Sequence, residues 1–338
     1  MVSKERLNQY QIWFRNLSFF NNNSYVLDNI NDLWNLINYI GYRYHRIVKR
    51  TSCEGLHYSG MSSEETFWYA QTFFDNHNVD LNIQTLLEEE ILNILDSSRK
   101  HDDYYNTEQD GCSYYDDNGK KVVDSVFIGK SLDCAILIHE LMHYYNQPSE
   151  KRNIINDLLT ESISYGAELM FYEDNKEKFQ EDRYLHYAGV MRTLYGLVDK
   201  IYYIYKIIYL FHETKTINKR AYNKLFKDNG YEITLKCFEE YASLKKSILK
   251  DTWTILGLVL AIYFLEEYRV NPEFSKNILE FNDSLNRLTF YECLSIIGMN
   301  NKEEIISKIK SSSDSFINYF EKIEKEINGT KSVGHKVK

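Results

Sequence analysis

Residues 139–143 read His-Glu-Leu-Met-His. Two imidazoles four positions apart fall on one face of an α-helix, about one turn from each other, and can converge on a single cation. Zinc takes imidazole nitrogens at about 2.0–2.1 Å, so one rigid helix can supply two of its ligands. Glu140 follows His139 and lies about a hundred degrees around the helix, where it reaches a water beside the metal without ligating. That is the placement a general base needs. The motif follows the apolar run Ala135-Ile136-Leu137-Ile138. Burying two histidines and a glutamate there is costly without partners, and a metal ion supplies one.

A catalytic zinc keeps three protein ligands and leaves one position open. The next helix offers Glu161 within Leu159-Thr160-Glu161-Ser162-Ile163-Ser164, far enough past His143 to end one helix, turn and return. A solvated helix acid is the plain alternative, but Glu161 sits among Leu158, Leu159 and Ile163. Asp157 and Glu150 are weaker candidates, because they lie nearer the turn. Tyr165 and Glu168 share the Glu161 face by helical spacing and can hold the imidazole N–H groups from outside.

The HExxH helix followed by ESISYGAELM resembles the thimet oligopeptidase and oligopeptidase F group of zinc metallopeptidases. The resemblance implies His139 and His143 as ligands, Glu140 as base, Glu161 as third ligand and Glu168 as a second acid. The lead-in VVDSVFIGKSLDCAILIHEL is similar to that group's edge strand and its approach to the motif. Gly257 and Ala261 in TWTILGLVLA resemble its late G-x-x-x-A helix, and residues 289–299 resemble its closing segment. The likeness covers about 120–172 well and 250–299 faintly. The group normally carries a histidine and tyrosines before the late helix, to bind substrate and steady the oxyanion. Here Thr252, Trp253 and Thr254 stand at that place, and no histidine occurs between His212 and His335. His186 and Tyr187 are the substitutes taken as catalytic, with Tyr184 beside them and Tyr263 ranking behind. The chain is shorter than the usual members, which implies a shallower cleft.

Several elements must position these residues. The sequence predicts helices over 27–50, 62–75 and 80–97, the last from Leu86, Leu87, Ile91, Ile94 and Leu95 at helical spacing. Residues 99–119 lack apolar periodicity and read as a long surface connection. Asn118-Gly119 is a turn signal between Cys112–Tyr115 and Val122–Ile128, which predicts a short hairpin holding most of the strand content. The edge of the 122–128 strand is expected to face the cleft and pair with an extended substrate. Ser131 is the candidate cap of the HExxH helix. Further helices are expected over 153–172, 181–211, 234–268, 272–298 and 301–327, with a frayed tail at 328–338. The fold class is therefore mainly α, zincin-like, with a small sheet beside the motif helix. Two parts are expected, an N-terminal helical part (1–100) and a catalytic part (101–338), packed as one unit.

Composition agrees with this plan. The 338 residues (40.3 kDa) include only 2 prolines and 14 glycines, too few turn residues for a large all-β fold. A net charge of −9 disfavours a broad nucleic-acid footprint. The basic run Arg43 to Arg50 therefore reads as a solvated helix end before it reads as a nucleic-acid contact. Five scattered cysteines without a CxxC pair read as reduced thiols. The N-terminus has no apolar core of a signal peptide, and the apolar stretch Thr252–Leu265 is too short to span a bilayer. The expectation is a cytoplasmic protein with no membrane or nucleic-acid partner, its oligomeric state open. The expected function is zinc-dependent hydrolysis of peptide bonds in a peptide or an extended protein. The alternatives are a catalytically altered zinc-containing binding protein, or a helical interaction protein carrying the motif by chance.

Overall fold

A computed structural model describes residues 30–96, 111–146, 154–214 and 245–334. The expectations for residues 1–29, most of the 99–119 connection, residues 234–244, Cys237 and the last residues of the tail lie outside the described residues. In chain order the elements are α1 (Ile30–Arg50), α2 (Ser63–Asn76), α3 (Ile83–Glu88), β1 (Leu92–Asp96), β2 (Gly111–Tyr115), β3 (Lys121–Phe127), α4 (Ser131–Tyr145), α5 (Ile154–Asp174), α6 (Gln180–Thr214), α7 (Lys245–Val270), α8 (Phe274–Ser284), α9 (Phe290–Ile296) and α10 (Lys302–Gly334). The protein is mainly helical with one small sheet, as its composition requires. Among the described residues no helix is long and apolar enough to cross a membrane.

Two predicted helices divide. The 80–97 segment forms only the short α3, capped by the Asn82 side chain on the Thr85 N–H at 2.9 Å. Glu90 then takes a left-handed conformation, φ 53°, and Leu92–Asp96 becomes a strand. Its partner is β3, paired in parallel as Leu92 with Val123 through Asp96 with Phe127. Long-range pairing overrides the local helical spacing, since a short apolar run fits either period. The 272–298 segment divides at Thr289, where Glu292 accepts the Thr289 N–H at 2.8 Å and opens α9 with a capping box. The final helix, by contrast, continues to Gly334 where a frayed tail is expected.

The sheet order is β1-β3-β2, with β2 antiparallel to β3 across the Asp116–Lys120 loop. The predicted hairpin is present, but β3 is the central strand and has no open edge. The expected substrate-pairing edge at 122–128 is therefore corrected: only β1 and β2 have an outer side among the described strands. Buried Asp124 links all three strands, accepting from Asn93 at 2.9 Å and from Tyr114 at 3.0 Å.

The helix α4 is fixed at both ends. Asp133, buried, accepts from the N–H groups of Ile128, Gly129 and Lys130 at 2.9, 2.7 and 3.0 Å, tying the end of β3 to the first turn. Ser131 is not the cap: its hydroxyl donates instead to buried Asp182 on α6 at 2.6 Å. Asp182 also accepts from the Ser59 N–H at 3.0 Å. Near the other end, Lys121 of β3 donates to the carbonyl of His143. These ties leave α4 little freedom to turn about its axis.

Both the early and late halves of the chain contribute to one contiguous core, Leu36, Phe74 and Ile91 sharing it with Leu141, Leu258 and Phe316. The basic run of α1 is not simply solvated. Arg43 pairs with Asp314 at 2.6 Å, and Arg50 pairs with Glu321, both on α10. Cys53, Cys112, Cys134 and Cys293 are free thiols. Helix α7 lies close against α5 at Gly257, where an added Cβ would stand 3.1 Å from the Cβ of Glu161 and 3.4 Å from the Ser162 nitrogen. A β-carbon here would be tighter than ordinary packing, so the turn of α5 would have to give way. Gly257→Val should therefore lower folding stability by about 1–3 kcal/mol through overpacking, read as a reduced urea midpoint at unchanged slope.

Candidate metal centre

Helix α4 presents His139 and His143 on one face, and α5 presents Glu161 opposite them. The His139 and His143 Nε2 atoms are 3.0 Å apart. The nearer Glu161 oxygen, Oε2, is 3.8 Å from the first and 3.7 Å from the second. The nearest point equidistant from three atoms so arranged lies in their plane about 2.05 Å from each, within the range of zinc bonds to nitrogen and carboxylate ligands. The three residues are half-buried and form the group of ligating side chains that could hold a cation among the described residues. Geometry and donor chemistry therefore fit a zinc-type ion held by His139, His143 and Glu161.

Glu168, one face with Glu161 on α5, is buried beneath the triangle. Its Oε1 accepts from Nδ1 of His139, which turns Nε2 of that ring outward toward His143 and Glu161. Its Oε2 stands 3.0 Å from Nε2 of His186, a charge contact without hydrogen-bond geometry, so the carboxylate lies between two imidazoles. Burial alone would raise the Glu168 carboxyl, but His139 and His186 overcome it and bring it down to about 2. For His139, burial works to lower the value. The Glu168 charge and hydrogen bond, with Glu140 and Glu161, outweigh it and raise the imidazole to about 9.

Glu140 lies beside the triangle and does not join it. Burial raises its carboxyl above the ordinary glutamate value, with His139 and His143 offsetting part of that and Glu161 adding to it. Its side chain packs on the first residue of β2: an added Cβ at Gly111 would stand 2.9 Å from Cγ of Glu140 and 3.2 Å from Ile136. Nothing in the sequence pattern marks Gly111, because it follows an unpatterned segment. The Gly257 contact with Glu161 gives the late-helix glycine a physical reason: it seats α7 against the carboxylate-bearing turn of α5.

The four substitutes expected to steady an oxyanion are turned to other partners. His186 faces Glu168, behind the site rather than over it. The Tyr187 hydroxyl is buried and donates to the Leu169 carbonyl at 3.3 Å, with Glu173 at 3.4 Å. Tyr184 donates to Glu324 at 3.0 Å and to the Ser52 carbonyl at 3.2 Å, and Tyr263 to the Ile297 carbonyl at 2.6 Å. The expectation that His186 and Tyr187 meet substrate directly stands beside these partners: His186 faces Glu168, and the Tyr187 hydroxyl faces the Leu169 carbonyl. Tyr165 stays at the site, its ring edge-on to His139 with centroids 4.8 Å apart.

No family model matches the sequence, and no curated protein matches it. Solved structures do match. A provisionally named oligoendopeptidase F from Bacillus anthracis str. Ames superposes with a TM-score of 0.61 at 14% identity, covering 91% of this chain and 59% of that one. A provisionally named peptidase from Chlamydophila abortus gives 0.61 at 16% identity, covering 87% and 55%. PZ peptidase A with an inhibitor gives 0.52 at 12% identity, covering 94% and 59%. The chain spans a little over half the length of each of these proteins. Over most of its own length, it has the fold of oligoendopeptidase F and related peptidases.

Proposed function

We propose that this chain is a zinc-dependent peptidase that hydrolyses peptide bonds in peptides or extended protein segments, with Glu140 as general base. The observation that carries the reading is the triangle of two imidazole nitrogens and one carboxylate oxygen, sized for zinc and set beside an unligated glutamate. When bound, zinc supplies a Lewis acid that polarises a carbonyl and makes a water more acidic. His139, His143 and Glu161 hold it. Glu168 fixes the ring of His139 through its Nδ1–H, and His186 fixes Glu168 in turn.

Glu140 takes the proton of the attacking water and delivers it to the leaving nitrogen. Its raised proton affinity suits a group that must both accept and return that proton. An extended substrate would lie along the outer side of β2, whose first residue already touches Glu140. The wide coverage by peptidase folds supports the substrate class. The whole reaction is a proposal, since those proteins are much longer. Metal bound one per chain with no cleavage of any peptide would instead favour the zinc-containing binding protein.

Three outcomes test the reading. Glu140→Gln should reduce peptide hydrolysis by about 10²–10⁴-fold while zinc content by elemental analysis stays at one per chain; retained full activity would overturn the base assignment. Glu168→Gln should weaken zinc binding by about 10–100-fold in a competition titration with a chelator, because the His139 ring loses its charged anchor. The third outcome concerns pH. A charged His139 carries a proton on Nε2 that must leave before that atom can ligate. Zinc affinity should rise with pH through the neutral range and level off above about 9. Calorimetry in buffers of different ionisation enthalpy would detect the released proton.

A further inference from the structure

We propose that Tyr165 is a further catalytic residue of this site, its phenol donating a hydrogen bond to the scissile carbonyl oxygen as that oxygen gains charge. The proposal rests on the peptidase reading. Attack by water on the carbonyl carbon moves the π pair onto oxygen, and a water-poor site must meet that charge with fixed donors. Among the phenols considered, Tyr184, Tyr187 and Tyr263 have their hydroxyls committed to Glu324, Leu169 and Ile297. Tyr165 does not.

Its position follows from helix geometry. Tyr165 is four residues after Glu161 and three before Glu168, so all three share one face of α5. The ring stands edge-on to His139, at an interplanar angle of 76°. It is half-buried, and its hydroxyl makes no hydrogen bond among the described residues. The carboxylates bearing on the phenol are Glu168, Glu161 and Glu140, which set it among the residues that hold the metal and move the proton. A phenol keeps its proton at neutral pH and is therefore a donor. The ring of Tyr165 thus stands on the ligand face of α5, beside the ring of His139.

The phenol keeps its own proton throughout. The water proton goes to Glu140, the pair on oxygen returns to re-form the carbonyl, the C–N bond breaks, and the nitrogen departs with the proton from Glu140. Tyr58 is the control. It lies in the loop before α2 and bears on Glu168 and Asp182.

The test uses the full zinc-loaded chain as wild type, Tyr165→Phe and Tyr58→Phe. Three quantities are read: steady-state cleavage of a peptide found by library digestion, zinc per chain, and the dissociation constant of a phosphinic peptide that copies the tetrahedral oxyanion. Tyr165→Phe should lower kcat by about 10²–10³-fold, weaken the phosphinic peptide, and leave KM and zinc content nearly unchanged. Unchanged kcat and phosphinic affinity would overturn the proposal. So would loss of zinc together with activity, which marks a structural role, or a loss confined to Tyr58→Phe. A wild type that cleaves no peptide and binds no phosphinic peptide would overturn the peptidase reading and this inference together. An active wild type with an unimpaired Tyr165→Phe would overturn this inference alone.

Discussion

The contact between α4 and α5 is the constraint on which the site depends. Two imidazoles and a carboxylate from separate helices stand 3.0–3.8 Å apart. Without a cation this arrangement is expensive, because polar groups are withdrawn from water and only partly satisfied. The protein meets that cost through rigidity. Asp133, Asp182 and Lys121 bind α4 to β3, α6 and the loop before α2. Gly257 lets α7 close on the turn of α5 that carries Glu161. A helix held at so few degrees of freedom keeps its ligands near the spacing the ion needs, so binding does not have to reorganise them.

Charge is arranged in layers behind that contact. Glu168 is buried, and on burial alone it would be protonated more readily. Two imidazoles, one on each oxygen, hold it ionised. A buried pair of this kind adds little net stability against a well-packed apolar core, since desolvation consumes most of the Coulomb gain. Its benefit lies in direction. The ionised carboxylate settles which nitrogen of His139 carries the proton and which is free for the metal. His186 thus stands one residue removed from His139, a position on α6 that its sequence neighbours do not advertise.

The small sheet serves the same end in a mostly helical protein. Strand β3 runs into the first turn of α4 through Asp133, and β2 brings Gly111 against Glu140. Because β1 and β2 flank β3, the outer edges of the sheet belong to β1 and β2. The placing of a parallel strand there depends on residues 92–96 meeting 123–127 across the intervening chain. Local spacing of leucines and isoleucines carries no trace of that meeting.

The sequence by itself determined the chemistry and the local elements that bear it. His139 and His143 must share a helix face because helical periodicity allows nothing else, and Glu161 and Glu168 must share another. Scarce proline and glycine made the fold helical, and Asn118-Gly119 made the hairpin. Thr289-x-x-Glu292 also carried a readable helix start, so the division of the 272–298 segment was legible in principle. What only tertiary structure decided is how those faces meet. Whether Leu92–Asp96 is helix or strand, whether Ser131 caps or reaches Asp182, and whether His186 and Tyr187 look toward substrate or inward are choices among local options of similar energy. Packing partners distant in the chain select between them. Periodicity fixes the direction of a side chain from its own helix axis, but the neighbour it meets is set by the relative placement of whole elements.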